Sequence, residues 1–183
     1  MTLGIAAYGP QAGAAAHQAV IVAELMGRGE IGGFAVFAIL DAGGKVHWRS
    51  GQQGGITALD IPNAWLAARH AAVITSGPDR PEPLVQFLPG RDGVGMVTGH
   101  RLPNRPSTAT GEPLNQCVVA LMAAGVSAQA AVDQVLQQDP EADSGLIAVH
   151  ASGQIGWANS ARVLRRTDTG GGEWRSANAG YAF

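Results

Sequence analysis

Two runs of the chain share one pattern, and that pattern limits the fold more than any other feature. Residues 37–48 (FAILDAGGKVHW) and 146–157 (LIAVHASGQIGW) each read as an apolar strand, a tight glycine-containing turn and a second strand. Aligned, they match Ala42 with Ala151, Gly44 with Gly153 and Trp48 with Trp157. Each run also follows a helical segment rich in small residues, so the order of elements repeats along with the residues. Strand hairpins preceded by helices point to an α+β fold.

Local signals supply the remaining elements. Residues 3–7 are apolar and run into Gly9-Pro10, which marks a strand ending in a turn. Residues 12–26 are alanine-rich, with Val20, Val22, Ala23 and Met26 apolar, and predict a helix stopped by Gly27 and Gly29. Residues 33–40 are continuously apolar, as in a strand covered on both faces. Residues 45–50 alternate, with Val46 and Trp48 on one face and Lys45, His47 and Arg49 on the other. The glycine-rich stretch 51–55 reads as a mobile surface loop, because no Lys-Ser/Thr pair follows to make a phosphate cradle. Residues 62–75 read as a helix with Asp60 as N-cap, although the part 71–75 also reads as strand. Pro78, Pro81 and Pro83 then require an extended connection.

Residues 84–88 and 93–100 read as two more strands, and 104–113 as a loop long enough to be a lid. A helix over 114–124 closes at Gly125, and Ser127 caps a second helix over 128–138. Gly170 to Gly172 read as a joint, which divides the chain into one globular domain, 1–168, and a tail, 169–183.

Composition narrows the function classes. Charged residues make up 14% of the 183, the net charge is −2, and no basic run exceeds Arg165-Arg166, so nucleic acid is not an expected partner. The neutral surface that follows favours a homo-oligomer. Cys117 is the single cysteine, which rules out an intramolecular disulfide and suits a reducing compartment. Between apolar helix neighbours it reads as a small buried hydrophobe. The start of the chain lacks the basic and apolar regions of a signal peptide, and no run reaches the ~18 apolar residues of a membrane span. A cytoplasmic protein acting on a small molecule, with no membrane partner, is the expectation.

The histidines, His17, His47, His70, His100 and His150, show neither His-x-His nor i, i+4 spacing, so neither metal nor cofactor is expected. A metal-dependent hydrolase would need them to converge in space. His100 stands out because it ends a strand beside Arg101 and ahead of Pro103-Asn104, where donors could hold a carboxylate or an oxyanion. A Ser144–His100 nucleophile–base pair is conceivable, though no Gly-x-Ser-x-Gly elbow is present. Trp48 and Trp157 read as packing anchors at equivalent hairpin positions, and His150 as a solvent-facing turn residue.

The run from Pro113 to Pro140 (PLNQCVVALMAAGVSAQAAVDQVLQQDP), followed by SGLIAVHASGQIGWAN from Ser144, resembles isoaspartyl peptidase (plant-type asparaginase) and gamma-glutamyltransferase. In those families a helix ends in glycine, an Ala-Val-rich helix ends near Asp-Pro or Glu-Pro, and the catalytic subunit then opens on a strand. The resemblance implies an N-terminal nucleophile fold, an αββα sandwich with helices outside two stacked antiparallel sheets. It also implies amidohydrolase chemistry on a small amide or isopeptide. The family nucleophile is a threonine freed by self-cleavage, whose own amine is the general base. The matching position here is Ser144, behind Asp143. On this reading Ser144 is catalytic, and His100, Arg101, Asn104 and Asn159 bind substrate. The alternative is a non-catalytic protein of the same fold that binds a small anionic metabolite or a partner protein.

Overall fold

The computed structural model describes residues 2–26, 33–77 and 79–164. The tail expected over 169–183, its glycine joint and the helix stop at Gly27 and Gly29 lie outside the described residues.

The architecture is mixed α+β, built on two four-stranded antiparallel sheets. The first sheet holds β1 (Thr2–Tyr8), β2 (Phe34–Leu40), β3 (Val46–Gly51) and β4 (His70–Ser76), in the order β1-β4-β2-β3. The second holds β5 (Gly90–Arg91), β6 (Gly95–Arg101), β7 (Ser144–His150) and β8 (Ile155–Asn159), side by side in chain order. The helices are α1 (Ala12–Leu25), the single turn α2 (Asn63–Leu66), α3 (Leu114–Ala123) and α4 (Ala128–Gln138).

Strand alternation sorts the core into three seams. Phe34, Val36, Ala38 and Leu40 of β2 point toward Met96 and Val149 of the second sheet. Phe37 and Ile39, on the other face of β2, meet Ala12, Ala16 and Val20 of α1. Val97, Leu146 and Ala148 of the second sheet meet Val118, Met122, Val132 and Val135 of α3 and α4. The layers therefore run α1, first sheet, second sheet, α3 with α4. The continuous apolar run of β2 is explained by this burial, since every one of its residues is covered.

The two hairpins share their turn. Gly44 N–H donates to Asp41 O (2.9 Å), as Gly153 N–H donates to His150 O (2.8 Å). Gly44 (φ 82°) and Gly153 (φ 92°) both occupy the left-handed region that glycine tolerates. Asp41 Oδ1 accepts from the Gly43 N–H at 2.9 Å, and His150 Nδ1 takes the same place by accepting from the Ser152 N–H at 3.1 Å. His150 is thus a partly buried turn former. The tryptophans diverge. Trp48 packs into the inter-sheet core and donates Nε1–H to Leu88 O, whereas Trp157 is 42% exposed on the edge strand β8. Only Trp48 is a packing anchor.

Several local expectations need correction. The strand reading holds for 71–75, because α2 ends after one turn and β4 follows. Asp60 does not cap α2, whose N-cap position is Pro62 without a side-chain bond. Residues 84–88 are not a strand. They form a 3-10 turn, Leu84–Phe87, that drops both Leu84 and Phe87 into the inter-sheet core. The stretch 51–55 does not end as a free loop, since Gly55 and Ile56 are buried and the Glu24 carboxylate of α1 accepts from the Ile56 N–H. Cys117 is only partly buried, with Sγ 3.5 Å from Thr110 Oγ1. No helix among the described residues is long and apolar enough to cross a membrane.

Candidate functional site

The polar residues gather at one end of the space between the sheets. His100, Gly145 and Asn159 are register partners across β6, β7 and β8, so they share the face that looks toward the first sheet. His100 Nε2 lies 2.6 Å from Asn159 Oδ1. The bond spans Gly145, where a Cβ would sit 2.2 Å from both partner atoms, so only glycine lets the pair form. Burial lowers the His100 pKa and outweighs the upward pull of the Asn159 bond, leaving the ring below its ordinary value and neutral near pH 7. With Nε2–H donating to Oδ1, Nδ1 is left as an acceptor. The Asn159 amide N–H groups have no protein acceptor among the described residues.

Arg101 follows in a left-handed conformation (φ 65°), which is uncommon for any residue but glycine. Its guanidinium pairs with Asp143 at 3.2 Å, so its charge is held on the protein. Ser144 is the register partner of Arg101 and therefore lies on the opposite face of the sheet from His100. It is fully buried, and its hydroxyl donates to Leu102 O at 3.4 Å. The Ser144–His100 pair considered as a possibility from the sequence does not form, because adjacent strand positions point to opposite faces.

Asn104 is also directed elsewhere. Its Nδ2 donates to Gln86 Oε1 at 2.9 Å, and Asn115 Nδ2 donates to Gln86 O at 2.8 Å. The segment 104–113 is tied down rather than lid-like. Ser107 Oγ and the Thr108 N–H each donate to Asp139 at 2.6 Å, and the Thr108 hydroxyl donates there too. Burial pushes the Asp139 carboxyl up, and these three bonds outweigh it and hold the group below the usual carboxylate range. Among the described residues no three or more His, Cys, Asp or Glu side chains are placed so that they could hold a metal ion.

The first sheet brings residues that the sequence reading missed. Gly4 of β1 lies so close to β6 that a Cβ there would be 2.3 Å from Gly99 O, and at the far end of β1 the Tyr8 ring covers Gly153. These two contacts set the course of β1 over the second sheet. Thr2 lies on the Gly4 face, one pleat further on, at the His100 end. Thr2 Oγ1 is 3.1 Å from Oγ of its register partner Ser76, which is 1% exposed. Arg80 Nη2 donates to the same Ser76 hydroxyl at 3.4 Å. Gln52 grips the Arg80 backbone from both sides, accepting from its N–H at 3.1 Å and donating to its carbonyl at 2.6 Å. In the sequence, Thr2 was hidden among small residues at the head of a strand read as starting at Leu3. Arg80 sat in a proline-rich connection with no periodicity to mark it.

A sequence profile described as "Domain of unknown function (DUF6963)" matches residues 2–183, a span that includes every residue of this site. The chain belongs to the DUF6963 family. No curated protein and no solved structure matches it. For this DUF6963 chain a functional reading therefore rests on the groups gathered here: a threonine hydroxyl, a neutral histidine, amide donors and a guanidinium.

Proposed function

We propose that this chain is an amidohydrolase of the N-terminal nucleophile type, acting on a small amide or isopeptide, with Thr2 rather than Ser144 as its nucleophile. The observation that carries the reading is the placement of Thr2. It opens β1 on the inter-sheet face, with its hydroxyl bonded to Ser76, at the end that holds the His100–Asn159 pair. Ser144, fully buried and turned toward α3 and α4, has no comparable access. The layering, with two antiparallel sheets between helices, supports the N-terminal nucleophile reading of the fold.

The chemistry requires the peptide bond ahead of Thr2 to be hydrolysed, whatever precedes it, so that the Thr2 amine is free. That amine takes the proton from Oγ1 as the oxygen attacks the scissile carbonyl. The Asn159 amide, oriented by His100, donates to the oxyanion that forms. Collapse expels the amine, which leaves with the proton, and water then hydrolyses the threonyl ester and frees the acid. Intact-mass spectrometry with N-terminal fragmentation, run beside a panel of small amides, tests this directly. The expected result is a chain beginning at Thr2 whose hydrolysis falls at least about 10³-fold in Thr2→Ala and partly survives in Thr2→Ser. A protein that keeps residues ahead of Thr2 and leaves every amide intact would overturn it. The second reading, a non-catalytic member of the fold binding a small anion, is favoured by one observation, the Arg80 guanidinium at the same end.

A further inference from the structure

Arg80 is half-buried and makes no ion pair with any described residue. Among the described residues its side chain has a single neutral partner, Ser76 Oγ, although a guanidinium carries five donors in a planar fork. Neither acid beside it in the sequence pairs with it: Asp79 makes no ion pair with any described residue, and Glu82 accepts from Gln52 Nε2 at 3.2 Å and from the Leu84 N–H at 2.9 Å. Gln52 fixes the Arg80 backbone on both sides, so the residue is positioned rather than loosely attached. Two hydrogen bonds, of 3.4 and 3.1 Å, connect the guanidinium to the Thr2 hydroxyl through Ser76.

We infer that Arg80 is the anchor for a substrate carboxylate, so that the substrate class is amides carrying a free carboxylate a few bonds from the scissile carbonyl. This rests on the amidohydrolase reading for its chemistry but not for its binding. A planar fork matches a carboxylate in two parallel hydrogen bonds, which a lysine cannot reproduce. The short path through Ser76 to Thr2 limits the separation between carboxylate and reacting carbon to that of a dicarboxylic acid monoamide. Ser76 aligns the two groups, because its one hydroxyl touches both.

Two measurements on the full chain separate this inference from the function it deepens. Calorimetric titration with glutarate and succinate is expected to show saturable binding in the wild type and in Thr2→Ala. Binding should weaken at least 10-fold in Arg80→Gln, with Arg80→Lys between them and all variants melting alike. Hydrolysis of the mono-p-nitroanilide of glutaric acid is expected to exceed that of its methyl ester about 100-fold in kcat/KM, with the preference lost in Arg80→Gln. Arg80-dependent binding without any hydrolysis would remove the amidohydrolase reading and keep the anchor. Hydrolysis indifferent to the carboxylate, or dicarboxylate binding that is absent or unchanged in Arg80→Gln, would overturn the anchor and leave the amidohydrolase reading standing.

Discussion

The two ends of the space between the sheets are built on the same device and put it to opposite uses. At each end a β7–β8 glycine lies beneath a side chain that a Cβ would displace. Gly145 lies under the His100–Asn159 bond, and Gly153 lies under the Tyr8 ring. At the Tyr8 end the edge carries rings: Tyr8 and His70 lie 4.8 Å apart with their planes tilted by 43°, and Arg69 lies 5.5 Å from the Tyr8 ring centroid. At the Thr2 end it is lined by polar groups with donors to spare, and the chain leaves through the left-handed Arg101. The lesson is that the same missing Cβ can admit a ring at one end and a buried polar pair at the other.

The comparison is broken most severely at Gly4. Its missing Cβ would be 2.3 Å from a backbone oxygen, which cannot swing aside as a side chain can. Gly4→Ala should separate the sheets at the Thr2 end and cost about 3 kcal/mol or more, read from urea denaturation. Gly145→Ala comes next. Its new methyl meets only side-chain atoms, so the fold should survive with a loss of roughly 1–2 kcal/mol. The His100–Asn159 bond should not survive, and hydrolysis should fall about 10²-fold, the range expected for one oxyanion donor. Gly153→Ala is the matched control. It places a methyl against Tyr8 at a positive φ and should cost a similar 1–2 kcal/mol through backbone strain, with activity unchanged. Equal loss of activity in both variants would mean that the two ends are not functionally distinct.

The ends should also differ with pH. His100 and His70 are both held below the ordinary histidine range, each chiefly by burial. A histidine whose folded pKa is depressed binds its proton more readily in the unfolded chain. Its stabilising contribution is therefore complete above the unfolded value near 6.5 and is lost as pH falls through the folded value. Stability should decline below about pH 6.5, and His100→Gln should flatten that decline more than His70→Gln, since His100 is the more deeply desolvated ring. His17, also depressed by burial against the raising influence of Glu24, supplies the residual slope in both variants. Chemical denaturation at a series of pH values would check this, and a slope that His100→Gln leaves unaltered would remove the buried-neutral assignment of that ring.

Much of the fold was legible because its signals are local. The apolar run of β2, the Ser127 cap with its Oγ accepting from the Ala130 N–H, and the shared hairpin turns all follow from neighbours in sequence. The mistaken strand at 84–88 shows where such signals fail. Leu84 and Phe87 are apolar for the sake of the inter-sheet core, and a single 3-10 turn serves that as well as a strand would. The candidate site is legible only in part. His100 and Asn159 were marked by their positions at strand ends, and register brings them together, whereas Arg101 falls on the opposite face and pairs with Asp143. Ser144 lies on the other face from His100 because a one-residue offset along a strand reverses the face, and no local signal marks which face looks toward the first sheet. Thr2 and Arg80 depend on how the first sheet stacks over the second, which is a non-local fact.

The smallest expected effect concerns the two tryptophans, which sharpen the contrast between a covered and an open edge. Trp48 fills the inter-sheet core and donates Nε1–H to Leu88 O at 2.9 Å, so Trp48→Phe removes a hydrogen bond and some buried surface, and about 1–2 kcal/mol is the expected cost. Trp157 occupies the aligned position of the second hairpin, but β8 ends its sheet and the ring stays 42% exposed. Trp157→Ser should therefore change the urea-unfolding free energy by no more than about 0.5 kcal/mol. A cost at Trp157 as large as that at Trp48 would mean that the β8 edge is covered in solution, and that the two hairpins are alike in burial as well as in their turns.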